Sequence, residues 1–256
     1  TQKFDAAVEA IEEAQKLKEV PPDKQENLAF WHGVALMQVG NHGKASEVLG
    51  AFDSRFPDSR RRQDAALLAA TALLAEGKAE EAAGTLKKIR TDTDSPHRGR
   101  AAVLELHSLM ESGQDDAALE LLAAEAPRQD RITQIATFQT LAMALGEKFL
   151  EEGKPREAIR AFQAVWPHER LTAHQQRRLA DTKEELEALN AASSPDIFER
   201  AQARQIVRET EAELANLEKI KSFDASVRFR MASAFHQQDR FRECALLLDD
   251  MLREME

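Results

Sequence analysis

One cysteine in 256 residues, Cys244, excludes an internal disulfide framework and any cluster built on several thiolates. Tyrosine is absent, tryptophan occurs twice, and glycine and proline number only 10 and 8. A sandwich of short strands needs more turn formers and aromatics than that, whereas abundant alanine suits helices. No apolar run reaches the ~18 residues of a membrane span. The longest apolar or small stretch, Ala65 to Ala75, is closed by Asp64 and Glu76. The opening TQKFDAAVEAIEEA reads as an amphipathic, acid-bearing segment and not as a secretory leader. Positive charge is in deficit: 35 Lys and Arg against 45 Asp and Glu leave a net −10. That balance argues against nucleic acid or an anionic membrane as the partner. With 43% hydrophobic and 31% charged residues, the composition is that of a globular chain.

What is present is a repeat. Gly40, Gly77, Gly113 and Gly153 lie 37, 36 and 40 residues apart, each after a segment of helical period. Seven residues before them stand Gly33, Ala70, Leu106 and Gly146, and four before stand Leu36, Leu73, Leu109 and Phe149. Five after stands alanine each time (Ala45, Ala82, Ala118, Ala158), and nine after stand Leu49, Leu86, Leu122 and Phe162. The physical reading is a helical hairpin. A glycine ends the first helix in the left-handed conformation, and small residues on either side let two backbones approach closely. Large apolar residues fill the gap to the next hairpin, so copies must stack to bury their faces.

These residues resemble the tetratricopeptide repeat. The fourth unit, LGEKFLEEGKPREAIRAFQAV, matches best, with Gly146, Phe149, Gly153, Ala158, Ile159, Phe162 and Val165 in place. The first unit matches and ends with Pro57; the second has Ala70 for the first glycine; the third departs at Leu106 and Glu125. A last unit matches without glycine, through Ala232, Phe235, Asp239, Cys244, Leu248 and Met251. The resemblance implies an all-α, right-handed solenoid of stacked antiparallel hairpins, one domain over 1–256.

Thirteen helices are expected: 3–19, 24–39, 42–56, 59–76, 79–92, 96–112, 115–126, 129–152, 155–166, 170–191, 195–222, 224–238 and 240–255. Asp23 with Glu26, Ser95 before Pro96 and Ser194 before Pro195 are helix-start signals, while Pro57, Pro127 and Pro167 close second helices. The first helix, with Phe4, Ala7, Ile11 and Ala14, reads as the second half of a hairpin. It suggests a piece of a longer repeat protein or a dimer contact. The pair at 170–222 is enlarged, poor in large apolar residues, and expected to project from the stack as a partner or self-association surface.

No catalytic, metal or cofactor constellation emerges. In HERLTAH, His168 and His174 are six apart, where a zinc helix needs histidines four apart on one face. GNHGKAS joins two helices and has Gln38 where a phosphate loop needs glycine. Cys244 takes an alanine slot and reads as a small buried residue between paired helices. Arg60, Arg61 and Arg62 read as surface charge at a helix start.

In the family, first helices line a concave groove that holds a peptide or a partner helix. Carried over by position, the groove candidates in the early units are Phe30, Val34, Met37, Leu67, Thr71 and Leu74. The middle units supply Arg100, His107, Met110, Met143, Glu147 and Leu150, and the last supplies Phe229 and His236. Family members that grip acidic chaperone tails use a Lys, Asn and Arg clamp. Here Phe30, Trp31, Val34, Leu67, Leu68 and Thr71 hold those places, with only Arg100 basic, so no such clamp is expected. The implied role is a non-catalytic scaffold for a protein or peptide segment, apolar or amphipathic with some basic character. Two other roles are consistent with the sequence. FDSRFPDSRRRQDAALLAATALLAEGKAEEA resembles helical-repeat proteins of bacterial envelope assembly, and a regulatory domain fused to an enzyme would have the same architecture.

Overall fold

The computed structural model describes residues 2–15, 21–192, 197–220 and 222–253. The fold is all-α, with no strand among the described residues. No helix among them is long and apolar enough to cross a membrane. The helices form two compact units, Thr1–Ala118 and Leu119–Glu256. The division falls inside a helix and not in one of the loops.

The first unit contains α1 (Gln2–Gln15), α2 (Pro22–Gln38), α3 (His42–Gly50), a one-turn α4 (Phe52–Arg55), α5 (Arg62–Ala75), α6 (Ala79–Thr91) and α7 (Arg98–Glu111). Successive helices pack in pairs, α1 on α2, α2 on α3 and α5 on α6, while α5 also covers α3 and α7 covers α6. Each first helix therefore closes the face left open by the hairpin before it. Leu86 and Ala82 of α6, Leu67 and Ala70 of α5 and Ala101 of α7 share one apolar cluster.

After α8 (Asp115–Glu125) and a 3-10 turn (Ala126–Arg131), the second unit contains α9 (Ile135–Glu151), α10 (Pro155–Gln163), α11 (His168–Ala191), α12 (Ile197–Lys219), α13 (Asp224–Gln237) and α14 (Phe241–Arg253). Here α9 packs on α10 and α13 on α14, and α13 lies directly against α10. The expected enlarged hairpin, α11 with α12, is thus an excursion between two hairpins that pack on each other. Polar bonds tie it back. Thr137 of α9 donates to Glu213 (2.9 Å), Gln134 donates to Glu209 (3.0 Å), and the His168 backbone N–H donates to Asp224 (2.8 Å).

The repeat register is visible in the backbone. Gly40, Gly77, Gly113 and Gly153 have φ of 81°, 75°, 71° and 70°, and Asp239 joins them at 58°. Past each turn the next N–H reaches back to the helix it has just left. Asn41 donates to Leu36 O (2.9 Å), Lys78 to Leu73 O (2.9 Å), Gln114 to Leu109 O (2.8 Å), Lys154 to Phe149 O (2.8 Å) and Arg240 to Phe235 O (3.0 Å). Five turns therefore use one Schellman termination, which needs a left-handed residue at a fixed place. Beside them, Ala45, Ala82, Ala118 and Ala158 are each 0% exposed, as a tight helix crossing requires.

Several boundaries differ from expectation. The helix expected over 42–56 breaks at Ala51, because α4 turns Phe52 (0% exposed) into the core. The helix expected from 59 starts at Arg62; Ser59 instead accepts from the Arg61 N–H (3.0 Å) and donates to Glu26 (2.7 Å). Ser95 shapes a turn by accepting from the His97 N–H (3.2 Å), and α7 starts only at Arg98. Pro127 and the non-helical Arg128 (φ −139°, ψ 26°) hold 126–131 in the 3-10 turn, delaying α9 from 129 to Ile135. Residues 16–19, the side chain of Asp23, and the Ser194–Pro195 start signal lie outside the described residues.

Candidate functional site

The fourteen groove candidates do not share one fate. Phe30 is 0% exposed: the Phe52 ring stands edge-on to it at 5.9 Å and the Arg61 guanidinium covers its face at 5.0 Å. Leu67 is 3% exposed and belongs to the α5–α6–α7 cluster, with Leu74 packed at its margin. These are corrections: Phe30 and Leu67 are core residues, out of reach of a partner. Leu150 likewise packs against Ile159, Ala234 and Phe235. Val34, Met37, Thr71, Arg100, Met110 and Met143 are half-buried on α2, α5, α7 and α9. His107 is exposed and lies 3.6 Å from Glu111. Glu147 is held by Arg230 of α13 at 2.6 Å, so much of its charge is already answered.

The last two candidates are placed differently. Phe229 (57% exposed) and His236 open from α13 into a groove of about 300 Å³ together with Ala232, Ser233, Gln237, Cys244 and Leu248. The His236 ring meets Phe241 edge-on at 5.4 Å. Among the described residues eight large apolar side chains are exposed. Five of them, Phe229, Phe241, Leu246, Leu248 and Leu252, stand on α13 and α14, so exposed apolar surface concentrates here. Cys244 is half-buried and not enclosed: it packs against the Ile159–Ala234–Phe235 cluster and also borders the groove.

A second concavity, about 360 Å³, contains none of the candidates. It lies among α3, α5 and α6, and is lined by Leu49, Ala66, Leu73 and Ile89 with a polar rim of Asp53, Arg62, Gln63, Lys88 and Asp92. Its rim groups bond to one another: Arg62 meets Asp53 (3.4 Å) and donates to Pro57 O (2.7 Å), and Gln63 donates to Asp92 (2.8 Å). Reading first helices alone overlooks it, because second-helix residues build most of its wall.

The excluded chemistries can be followed to their side chains. His168 Nε2 lies 3.0 Å from Leu217 O, whereas His174 stands edge-on to Trp166 at 5.4 Å, so the pair does not converge. Burial holds the His174 imidazole below its ordinary pKa, with Arg178 adding to the effect. In GNHGKAS, Gly40 ends α2 and Asn41 caps α3 by accepting from the Lys44 N–H (3.3 Å). Ser46 there donates to Gly43 O (2.9 Å) and to the Glu76 carboxylate (3.3 Å), an acidic neighbour hostile to phosphate. Arg61 and Arg62 are engaged with Phe30, Trp31, Asn27 and Asp53, so they serve the fold as well as the surface. No group of three or more His, Cys, Asp and Glu able to hold a metal occurs among the described residues.

No family model matches the chain, and no curated protein matches it.

Proposed function

We propose that the chain is a non-catalytic interaction scaffold of tetratricopeptide type, whose hairpins hold a helical or extended protein segment. One observation carries the reading: Phe229, His236, Cys244 and Leu248 form an open, largely apolar groove where the other hairpins have their apolar faces covered. Exposed apolar surface concentrated in one place on a helical hairpin marks an interaction site. Its width suits a helix laid along it with anchors three and four residues apart. The net charge of −10 favours a segment whose flanks are basic. The test is a fluorescence-anisotropy titration of two labelled amphipathic helical peptides with leucines at i, i+4 and i+7, one flanked by Lys and one by Glu. The Lys peptide should bind the tighter, and Phe229→Ala should weaken it about tenfold, the loss typical of one anchor. Equal, unsaturable signals for both peptides would refute the reading.

A further inference from the structure

The five hairpin turns allow an internal comparison. Nine residues past each turn residue stand Leu49, Leu86, Leu122, Phe162 and Leu248. The first four are 1%, 0%, 1% and 1% exposed; Leu248 is 36% exposed. The cause is visible in the packing. A following helix covers α3, α6 and α10, namely α5, α7 and α13, whereas nothing among the described residues covers α14. Accordingly, no residue of α14 is fully buried.

Helix geometry shows what the open face asks for. At about 100° per residue, Phe241, Ala245, Leu248 and Leu252 fall on one line, the i, i+4, i+7, i+11 seam of a two-helix packing. Cys244, Leu247 and Met251 fall on the neighbouring line; Cys244 and Leu247 face the unit's own core. On the other flank of the seam lie Arg242 and Asp249, seven residues apart and both exposed. Asp249 also meets Arg253 at 2.6 Å.

From this we infer that α14 pairs antiparallel with α14 of a second copy of this chain, deepening the helix-in-groove reading on which it rests. A two-fold axis near the middle of the seam sets Phe241 against Leu252 and Ala245 against Leu248, in both directions at once. The same operation sets Arg242 of each copy beside Asp249 of the other, so one flank carrying opposite charges complements itself, the requirement of an isologous interface. A partner helix of uniform charge would leave one of the two unanswered. Phe229 and His236 of α13 border the seam on its inner side. The area removed from water is on the order of 600 Å² per copy, at the lower edge of specific interfaces, which predicts micromolar dissociation.

Sedimentation velocity of the purified 256-residue chain, from roughly 1 µM to roughly 200 µM, reads the equilibrium. A concentration-dependent shift from monomer to dimer is expected, and Leu248→Glu and Leu252→Glu should weaken it at least ~tenfold with unchanged circular dichroism. The decisive arm uses charge. Arg242→Glu alone and Asp249→Arg alone each place like charges together at both contacts and should lose dimerisation, while an equimolar mixture of the two variants should regain it. Unfolding cannot produce rescue on mixing. A chain that stays monomeric throughout, a dimer indifferent to Leu248→Glu and Leu252→Glu, or variants that fail to pair on mixing would overturn the proposal. Should the monomeric chain still bind the Lys-flanked peptide, self-pairing falls and the groove reading stands; if neither occurs, both fall.

Discussion

Gly33 offers a direct measure of how closely the helices of one hairpin approach. A Cβ built there would lie 2.3 Å from Leu49 Cγ and 2.5 and 2.9 Å from its two methyls. Carbon atoms prefer about 3.5–4.0 Å, so the overlap exceeds 1 Å. Leu49 is 1% exposed and has no open side to retreat to. Gly33→Ala gains ~0.5–1 kcal/mol from the stiffer helix backbone. Overpacking a closed core costs ~1–3 kcal/mol, so the net expectation is a loss of ~1–2 kcal/mol. Gly84, inside α6 of the same unit, is the control: a Cβ there meets nothing within 4 Å, and Gly84→Ala should gain the full ~0.5–1 kcal/mol. Only two tryptophans exist, so a Trp166→Phe background leaves Trp31 reporting the first unit alone during urea unfolding. Leu49→Ala should cost ~2–5 kcal/mol alone and at least ~1 kcal/mol less beside Gly33→Ala, whose methyl enters the vacated space. A Gly33→Ala protein stabilised as much as Gly84→Ala would refute the close crossing.

Two further outcomes follow from the second unit. Asp239 adopts the left-handed turn at φ 58° where its four counterparts are glycine, so Asp239→Gly should raise the unit's thermal midpoint, by ~1 kcal/mol of removed backbone strain. An unchanged or lowered midpoint would mean that the aspartate side chain contributes something the turn geometry does not show. Burial pushes the Glu213 carboxyl above its ordinary range, opposed by hydrogen bonds from Thr137 and Gln175 and weakly by Arg178. The native state therefore keeps a proton that the unfolded chain releases. The contribution is full below the ordinary carboxylate pKa and is lost as pH rises through the raised one. Glu213→Gln, neutral at every pH, should flatten that decline and exceed the parent in urea midpoint near neutrality; a parent whose stability climbs with pH through this window relative to the variant would contradict it.

The turns were the most legible part of the fold because the left-handed conformation admits few residue types. Glycine at 40, 77, 113 and 153 marked four of them, and the spacing alone placed the fifth at Asp239. The small alanines beside the turns were legible for a related reason: a close helix crossing leaves no volume for anything larger. Helix starts were less so. Pro127 was read as the close of a helix, but nothing local announced that Arg128 would leave helical geometry and carry the chain through a 3-10 turn to Ile135. The break at Ala51 follows from the pull of Phe52 into the core, a tertiary cause that neither propensity nor period encodes.

The site was harder to read than the fold, and α5 shows why. Its sequence RQDAALLAATALLA is apolar or small nearly all round, so period cannot tell a face that greets a partner from a face that meets the next helix. Leu67 was assigned outward and proves to be core for that reason. The converse error occurred in α14. There Leu248 was placed in register with Leu49, Leu86, Leu122 and Phe162, and equal register suggested equal burial. Register, however, determines only the direction a side chain takes from its helix axis. Whether it is covered depends on the helix that follows, which belongs to another segment of sequence. Leu248 points where its counterparts point and is exposed because no described helix covers it. In a stacked fold the binding surface is therefore carried by the interruptions of the repeat more than by its consensus positions.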